Sequence, residues 1–228
     1  MRLLTVDTST NVFSIALSED LKVLREESGD AGPSTSAAIP SLIRSLFQHA
    51  GFQPQDLDAF AVTVGPGSFT GVRIGIALVK GLAYATGKRV VPISSLELLA
   101  MNAEKSPVPV CTMFDARKGE VYTATFSFEN GLKLIREEKA ADPLTVIDET
   151  AGATLFVGDG ATRYRELICE RLGRLAIYPE EQLHRPKASA AVSLAIKQLR
   201  SGAAVSPFDL LPRYLRLSEA ELSRARIV

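Results

Sequence analysis

Apolar side chains in the first hundred residues change their spacing several times, and each change predicts a new element. Over residues 2–28, short apolar runs alternate with polar turns, which predicts three strands in a β-meander. Over residues 34–50, apolar positions recur at helical spacing, which predicts a helix with one apolar stripe. The stripe consists of Ile39, Leu42, Ile43, Leu46, Phe47 and Ala50. A strand, a helix and a strand complete the order βββαβαβ, over residues 59–64, 72–85 and 89–93.

The second half of the chain repeats this kind of order. The expected elements are strands over 108–114, 120–128, 132–138 and 154–157, with helices near 161–172 and 189–200. Prolines bracket a short helix within residues 94–107, so this segment is the predicted linker. The predicted division is a first lobe over 1–103 and a second lobe over 104–228, whose C-terminal helical region can pack back on the first lobe.

Each half opens with a strand that leads to an aspartate, Asp7 in the first and Asp115 in the second. Two such lobes in one chain are the architecture of actin-like ATPases. We therefore predict an α/β fold, a two-lobed actin-like duplication of the ribonuclease H-like (ASKHA) type. Because one fold can host many functions, the function has to be argued from the site residues.

Composition narrows the class of protein. Of 228 residues, 46% are hydrophobic and 23% are charged, which excludes a disordered or fibrous chain. The formal net charge is zero, so no global positive field exists to hold nucleic acid. Cys111 and Cys169 lie far apart without metal-site spacing, and both are expected to be small core residues. Without a signal-peptide pattern or a long apolar run, the expected compartment is the cytoplasm, with no membrane contact.

A glycine-rich segment, GPGSFTGVR at residues 65–73, follows a predicted strand and opens a predicted helix. Backbone amides at such a place can bind phosphate. The spacing GxGxxxG, however, matches neither the Walker A loop nor the dinucleotide fingerprint GxGxxG. The alternative is a tight strand-to-helix turn in which Thr70 caps the helix. Further small residues at Gly75, Ala77 and Gly81 would let another backbone approach, either from a partner or from this chain's own sheet.

Four segments together resemble the TsaB (YeaZ) family: LLTVDTST, GPGSFTGVRIGIALVKGLA, FDARKGEVY and PRYLR. The resemblance implies an accessory, non-catalytic partner of the TsaD-type transferase, which forms N6-threonylcarbamoyladenosine at position 37 of tRNAs that read codons beginning with A. It also implies a TsaE-type ATPase, an intermediate made by a separate synthase, indirect contact with tRNA, and a homodimer when the chain is alone. Members often carry a histidine near the start of the first long helix, where this chain reads GPSTS at residues 32–36.

The same resemblance implies pairing with the transferase through the first two helices. The apolar stripe would be costly to leave in water, so with the glycine-bearing helix it is expected to form half of a helical bundle. The expected interface residues are Ile39, Leu42, Ile43, Leu46, Thr70, Gly71, Arg73, Gly75 and Val79. A bulky residue at Gly75 should then break the complex and leave the fold intact. Arg73 is either a solvated charge, a bond to its own turn, or a clamp to a partner carboxylate.

Catalytic chemistry has few candidates in this sequence. The histidines, His49 and His184, lie far apart and are expected at the surface, which argues against a metal site and against a glycoprotease-like function. The weak candidates for nucleotide binding are Asp7, Thr8, Ser9, Thr10 and Asp115. The side chains of residues 116–118 would crowd a phosphate, and a Gly-Asp-Gly loop at 158–160 is a short signal. Asp7 could instead close its turn with an Asx hydrogen bond.

These observations predict a chain that requires no cofactor of its own, with ATP or ADP bound only within the complex. The alternative is an independent ATP-dependent enzyme of the same fold acting on a small molecule. A basic tail with Arg213, Arg216, Arg224 and Arg226 could touch tRNA, but acidic neighbours favour a solvated terminal helix.

Overall fold

The computed structural model describes residues 1–32 and 34–216. Its first sheet has the order β3-β2-β1-β4-β5. These strands are β1 (Arg2–Asp7), β2 (Val12–Glu19), β3 (Lys22–Asp30), β4 (Ala59–Thr63) and β5 (Arg89–Ile93). The first three form the predicted antiparallel meander, and β4 and β5 run parallel to β1. Two helices connect the parallel strands, as such connections require: α1 (Thr35–Ala50) and α2 (Phe69–Thr86).

The second sheet has the order β8-β7-β6-β9-β10, in which each strand corresponds to the strand at the same place in the first sheet. Its strands are β6 (Val110–Arg117), β7 (Glu120–Ser127), β8 (Lys133–Ala141), β9 (Thr154–Val157) and β10 (Ala176–Ile177). Three helices belong to this half: α4 (Pro143–Asp148), α5 (Asp159–Arg163) and α6 (Arg165–Leu172). The predicted duplication is therefore confirmed. Sequence analysis missed the short elements α4 and β10, which contain too few residues to display a period.

Two helices cross between the sheets. The helix α3 (Ser95–Met101) packs through Leu96, Leu99 and Ala100 on the second sheet, whereas α7 (Val192–Arg200) packs through Val192 and Ala195 on the first. Six of the seven residues of α3 are buried, and Glu97 is half-buried. The segment 94–107 therefore contains the predicted short helix between the two lobes, and this helix contributes to both cores.

Several predicted boundaries shift by a few residues. The helix α2 begins at Phe69, and its N-cap is Ser68, whose hydroxyl oxygen accepts a hydrogen bond from Gly71 N–H at 3.2 Å. The predicted cap at Thr70 is therefore wrong. The strand β6 continues through Asp115 to Arg117, beyond the predicted end at residue 114, so the turn to β7 is shorter than the gap between the two predicted strands. In the described part of the chain, no helix is long and apolar enough to cross a membrane.

Candidate functional site

A cleft of about 670 Å³ lies between the two lobes. The first lobe contributes the β1–β2 turn and the beginning of α2, and the second lobe contributes β6, β7 and α5. The polar residues at its wall are Thr8, Ser9, Thr10, Asn11, Thr35, Ser68, Thr70, Asp115, Arg117, Tyr122, Asp159, Arg163 and Arg216. The structure thus brings together four of the five predicted nucleotide-binding candidates. The fifth, Asp7, lies behind the wall.

Asp7 is completely buried at the end of β1. Its Oδ1 accepts hydrogen bonds from Thr63 Oγ1 at 2.7 Å, Ser9 Oγ at 2.7 Å and Ser9 N–H at 3.2 Å. Its Oδ2 has no hydrogen-bond partner among the described residues. Burial raises the pKa of Asp7 above its ordinary value, and the three hydrogen bonds counteract this only in part. Asp7 therefore closes its own turn and faces no ligand space.

The glycines of the GPGSFTG segment and of α2 fit directly against this turn. A Cβ on Gly67 would clash with the carbonyl oxygen of Ser9, and one on Gly71 would clash with that of Thr8. Further along α2, a Cβ on Gly75 would clash with Thr8 Oγ1. The Thr8 hydroxyl also donates to the Gly71 carbonyl at 2.8 Å. Of the two alternatives for these small residues, Gly71 and Gly75 pack within the chain's own lobe.

Some of the amides at the beginning of α2 are also used within the lobe. Ser68 N–H donates to the Ser9 carbonyl at 2.7 Å, and Val72 N–H donates to the Ser68 carbonyl at 2.9 Å. Gly71 N–H donates to the Ser68 hydroxyl. Val72 N–H makes the first regular helix bond, and the Phe69 and Thr70 amides have no acceptor among the described residues.

The second lobe repeats this construction with the Gly-Asp-Gly loop. A Cβ on Gly158 would clash with the Met113 carbonyl oxygen, and one on Gly160 would lie 2.9 Å from it. Between them, Asp159 Oδ1 accepts from Asp115 N–H at 3.0 Å. Burial raises the pKa of the Asp159 carboxyl. This loop was only a short signal in the sequence, and the structure shows that it is the counterpart of the GPGSFTG segment in the first lobe. We call residues 65–71 the α2 corner and residues 158–160 the second-lobe corner.

Asp115, unlike Asp7, is held by cations at the cleft wall. Its Oδ2 lies 3.3 Å from Nη1 of Arg163 and 3.5 Å from Nη1 of Arg117. Its Oδ1 accepts from Arg117 N–H at 3.0 Å. Arg117 and Lys118 both have positive φ, at 65° and 54°, in a turn that Gly119 completes. Among the described residues, no group of three or more histidine, cysteine, aspartate or glutamate side chains could hold a metal ion.

The predicted interface residues divide into two groups. Five of them are buried inside the first lobe: Ile39, Ile43, Leu46, Gly75 and Val79. The apolar stripe of α1 packs on the first sheet, so the expectation that it is left for a partner is wrong. Leu42 and Gly71 are half-buried, and Thr70 and Arg73 are exposed. Since Gly75 faces Thr8, the expectation that a bulky residue there leaves the fold intact is also wrong.

The opposite face of the two helices is solvent-exposed and carries several small residues. On α2, Ala77 and Gly81 follow Arg73 at four-residue spacing, and a Cβ on Gly81 would meet no atom within 4 Å. On α1, Ala37 and Ala38 are exposed. A groove of about 410 Å³ runs between the helices, with apolar walls from Phe47, Phe52, Leu78 and Leu82. We call this the outer face of α1 and α2.

Residues 212–216, which we call the strap, cross from one lobe to the other. Arg213 N–H donates to the Val64 carbonyl at 2.7 Å, and its Nη1 lies 3.0 Å from Oε2 of Glu138 on β8. Arg216 Nη1 donates to Glu120 Oε2 at 2.7 Å. The strap is not helical, so the prediction of a solvated terminal helix is wrong for these two arginines. Arg224 and Arg226 lie outside the described residues.

An acidic cluster beneath the strap was not found by sequence reasoning. Burial raises the pKa of Glu138 and of Glu97, and the Glu138 charge raises that of Glu97 further. Ser94 Oγ, which caps α3, donates to Glu138 Oε1. These residues are distant in sequence, and no local pattern relates them. The cluster joins β8, α3 and the strap.

The remaining candidates are placed as follows. His49 is exposed, as expected, but His184 is buried beside the second-lobe corner, where its Nδ1 accepts from Gly158 N–H at 3.1 Å. Cys111 is buried in the core and Cys169 is exposed, so the expectation of two core cysteines holds only for Cys111. A polar ring can be buried when a backbone donor satisfies it, which a lone histidine in a sequence does not reveal.

The class of protein follows from the fold. The solved structure of the activator of the 2-hydroxyisocaproyl-CoA dehydratase from Clostridium difficile, with bound ADPNP, matches with a TM-score of 0.50 and 10% identity, covering 89% of this chain and 97% of that one. At this identity the similarity concerns the fold alone. The chain therefore has the two-lobed fold of actin-like ATPases, as predicted.

The family follows from closer relatives. A family model described as TsaD, tRNA N6-adenosine threonylcarbamoyltransferase, matches residues 30–224. The tRNA threonylcarbamoyladenosine biosynthesis protein TsaB of Bacillus subtilis (strain 168) is 33% identical over 225 residues, 97% of this chain and 96% of its own. The structure of YeaZ from Pseudomonas aeruginosa matches with a TM-score of 0.79 and 30% identity, covering 94% of this chain and 99% of that one. The chain belongs to the TsaB (YeaZ) family of tRNA threonylcarbamoyladenosine biosynthesis proteins.

Proposed function

We propose that this chain is a non-catalytic partner of a TsaD-type transferase in the formation of N6-threonylcarbamoyladenosine on tRNA, and that it works in the cytoplasm. A TsaE-type ATPase and tRNA would join through the complex, and the chain alone would form a homodimer. ATP or ADP would bind only within the complex. The proposal rests on the family, whose relatives carry the name of this biosynthesis, and on how the cleft is built.

One observation carries the non-catalytic part of the proposal. Several groups that an actin-like protein would turn toward phosphate make internal bonds: the buried Asp7 accepts three hydrogen bonds at Oδ1, and the Ser68 and Gly71 amides bond to Ser9 and Ser68. In the second lobe, the Asp115 carboxylate lies against two guanidinium groups. Burial of Asp7 and the two arginines beside Asp115 therefore leave the isolated chain without an accessible free base at either aspartate.

The outer face of α1 and α2 supports the partner part of the proposal. Small residues allow two helix backbones to approach closely, and the exposed Ala37, Ala77 and Gly81 provide such a surface. The half-buried Ile74 and Leu78 border it with apolar side chains. We infer that the transferase contributes two helices here, and that the same face makes the homodimer when the transferase is absent.

Size-exclusion chromatography with light scattering tests the proposal directly. The chain and the TsaD-type transferase of the same organism would be run separately and mixed, each with and without ATP. We expect a heteromer of defined mass in the mixture and no ATP turnover by the chain alone. Two unshifted peaks under both conditions would contradict the partner role. ATP turnover by the pure chain that Asp7→Ala abolishes would instead support an independent enzyme of the same fold.

A further inference from the structure

The side chain of Arg73 on α2 is held in place by the strap. Its Nε donates to the Tyr214 hydroxyl at 2.7 Å. The Tyr214 ring stacks on Phe69 with centroids 4.6 Å apart and an interplanar angle of 19°. The guanidinium carbon of Arg73 lies 5.5 Å from the Tyr214 centroid and 5.8 Å from that of Phe69. Two aromatic rings and one hydrogen bond thus set the direction of an exposed cation.

The cation itself has no carboxylate partner in the described part of the chain. Among its polar contacts there, only Nε is engaged, so the two terminal nitrogens remain open to solvent. By contrast, Arg213 and Arg216 in the same strap each lie against a glutamate. A guanidinium group binds a carboxylate in a planar, bidentate arrangement. An oriented arginine side chain without a carboxylate partner in its own chain is therefore suited to bind a carboxylate of another molecule.

Arg73 also begins the row of residues on the outer face. Ala77 and Gly81 follow it at helical spacing, and all three are exposed. The small side chains of Ala77 and Gly81 allow the backbone of a partner helix to approach α2 closely. The charge of Arg73 then selects a helix that carries an acidic side chain at the matching position.

We propose that Arg73 binds a carboxylate on a helix of the partner and that Tyr214 is the positioning residue that orients it. This inference deepens the proposed function and rests on it, since the partner is the one proposed above. Its physical basis is preorganisation: an arginine already ordered in the free chain loses less side-chain freedom on binding. The strap, which also contacts the second lobe, thereby becomes part of the binding surface.

The test is a double-mutant cycle on the affinity for the transferase, measured at low and high salt with the unsubstituted chain, Arg73→Gln, Tyr214→Phe and the double variant. We expect Arg73→Gln to weaken binding about 10- to 100-fold and to reduce its salt dependence, as the loss of a charge-assisted bond predicts. Tyr214→Phe keeps the stacked ring and removes only the hydroxyl. It should weaken binding about 3- to 10-fold in the unsubstituted background and have no effect beside Arg73→Gln.

The outcomes separate the two proposals. If the unsubstituted chain does not bind the transferase, the proposed function fails and this inference fails with it. If it binds and Arg73→Gln binds equally well, only the inference is overturned. An equal effect of Tyr214→Phe in both backgrounds would show that Tyr214 acts on the strap alone and would overturn its positioning role. Thermal unfolding of each free variant, expected within about 2 °C of the unsubstituted chain, verifies the fold.

Discussion

The two lobes line the cleft with the same arrangement of glycines around an aspartate, but the aspartate has a different environment in each lobe. In each, glycines of a turn or helix pack against backbone atoms within two residues of the aspartate. In the first lobe, Asp7 is buried and bonded to hydroxyls; in the second, Asp115 faces the cleft and pairs with two arginines. The same residue type at equivalent places is therefore fully buried in one lobe and paired with solvent-exposed arginines at the cleft wall in the other.

This difference shows why the corner glycines matter more than the aspartates for the fold. A backbone clash cannot be relieved by a side-chain rotation, whereas a carboxylate at the surface can exchange its partners for water. The predictions below separate these two kinds of contribution, beginning with the largest effect.

Gly71→Ala and Gly158→Ala are expected to destabilise the protein most. Each added Cβ would clash with a backbone carbonyl, and Gly158 in addition has a φ of 113°, which disfavours any L side chain. We expect each to lower the free energy of unfolding by about 3 kcal/mol or more, measured by urea denaturation. The matched control is Gly81→Ala, which adds the same methyl group in open space and should raise stability by up to about 1 kcal/mol. Equal stability of Gly71→Ala and Gly81→Ala would refute the close packing of the corner.

Asp7→Ala and Asp115→Ala should differ in the same assay at pH 7. Removing the Asp7 carboxylate leaves the hydroxyls of Ser9 and Thr63 and one buried amide without their acceptor, so we expect a loss of about 2–4 kcal/mol. Asp115→Ala frees two arginine side chains that reach solvent and should cost no more than about 1 kcal/mol. A larger loss at Asp115 would reverse the comparison between the lobes.

The pH dependence of Asp7→Asn gives the smallest and most specific effect. Because burial raises the pKa of Asp7 in the folded chain above 3.8, its contribution to stability is complete below that pH and is lost as pH rises through the folded pKa. Asparagine does not titrate, so the stability of the variant relative to the unsubstituted chain should increase with pH above 3.8 and then level off. The size is about 1.4 kcal/mol for each unit of pKa shift. A relative stability that stays flat or falls across this range would show that Asp7 is not destabilised by burial.

Much of the fold was predictable because hydrophobic spacing reports directly on local structure. The meander, α1, α2 and the duplicated strand order were all visible as changes of period along the chain. An apolar stripe on a helix does not indicate which surface packs against it. The apolar side of α1 was predicted to bind a partner, yet Ile39 and Leu46 lie in the chain's own core. The same limit explains α3, whose buried face signals packing but not which of two sheets it packs on.

The candidate site was less predictable because its contacts join distant segments. Arg73 and Tyr214 are 141 residues apart, and neither has a local pattern that indicates the other. The Ser9 contacts with the α2 corner are likewise invisible in either segment alone. Family resemblance indicated which segments matter, and only the structure shows that Gly75 faces inward while Gly81 faces outward.

The central claim is that the outer face of α1 and α2 binds the transferase while the inner face holds the lobe together. The most direct measurement is the affinity of Gly81→Arg for the TsaD-type transferase, compared with Ser193→Arg, which places the same charge on the exposed side of α7. Both free variants should unfold at the temperature of the unsubstituted chain. The account predicts that Gly81→Arg binds at least about tenfold more weakly while Ser193→Arg binds normally. Equal affinity of the two folded variants would contradict it.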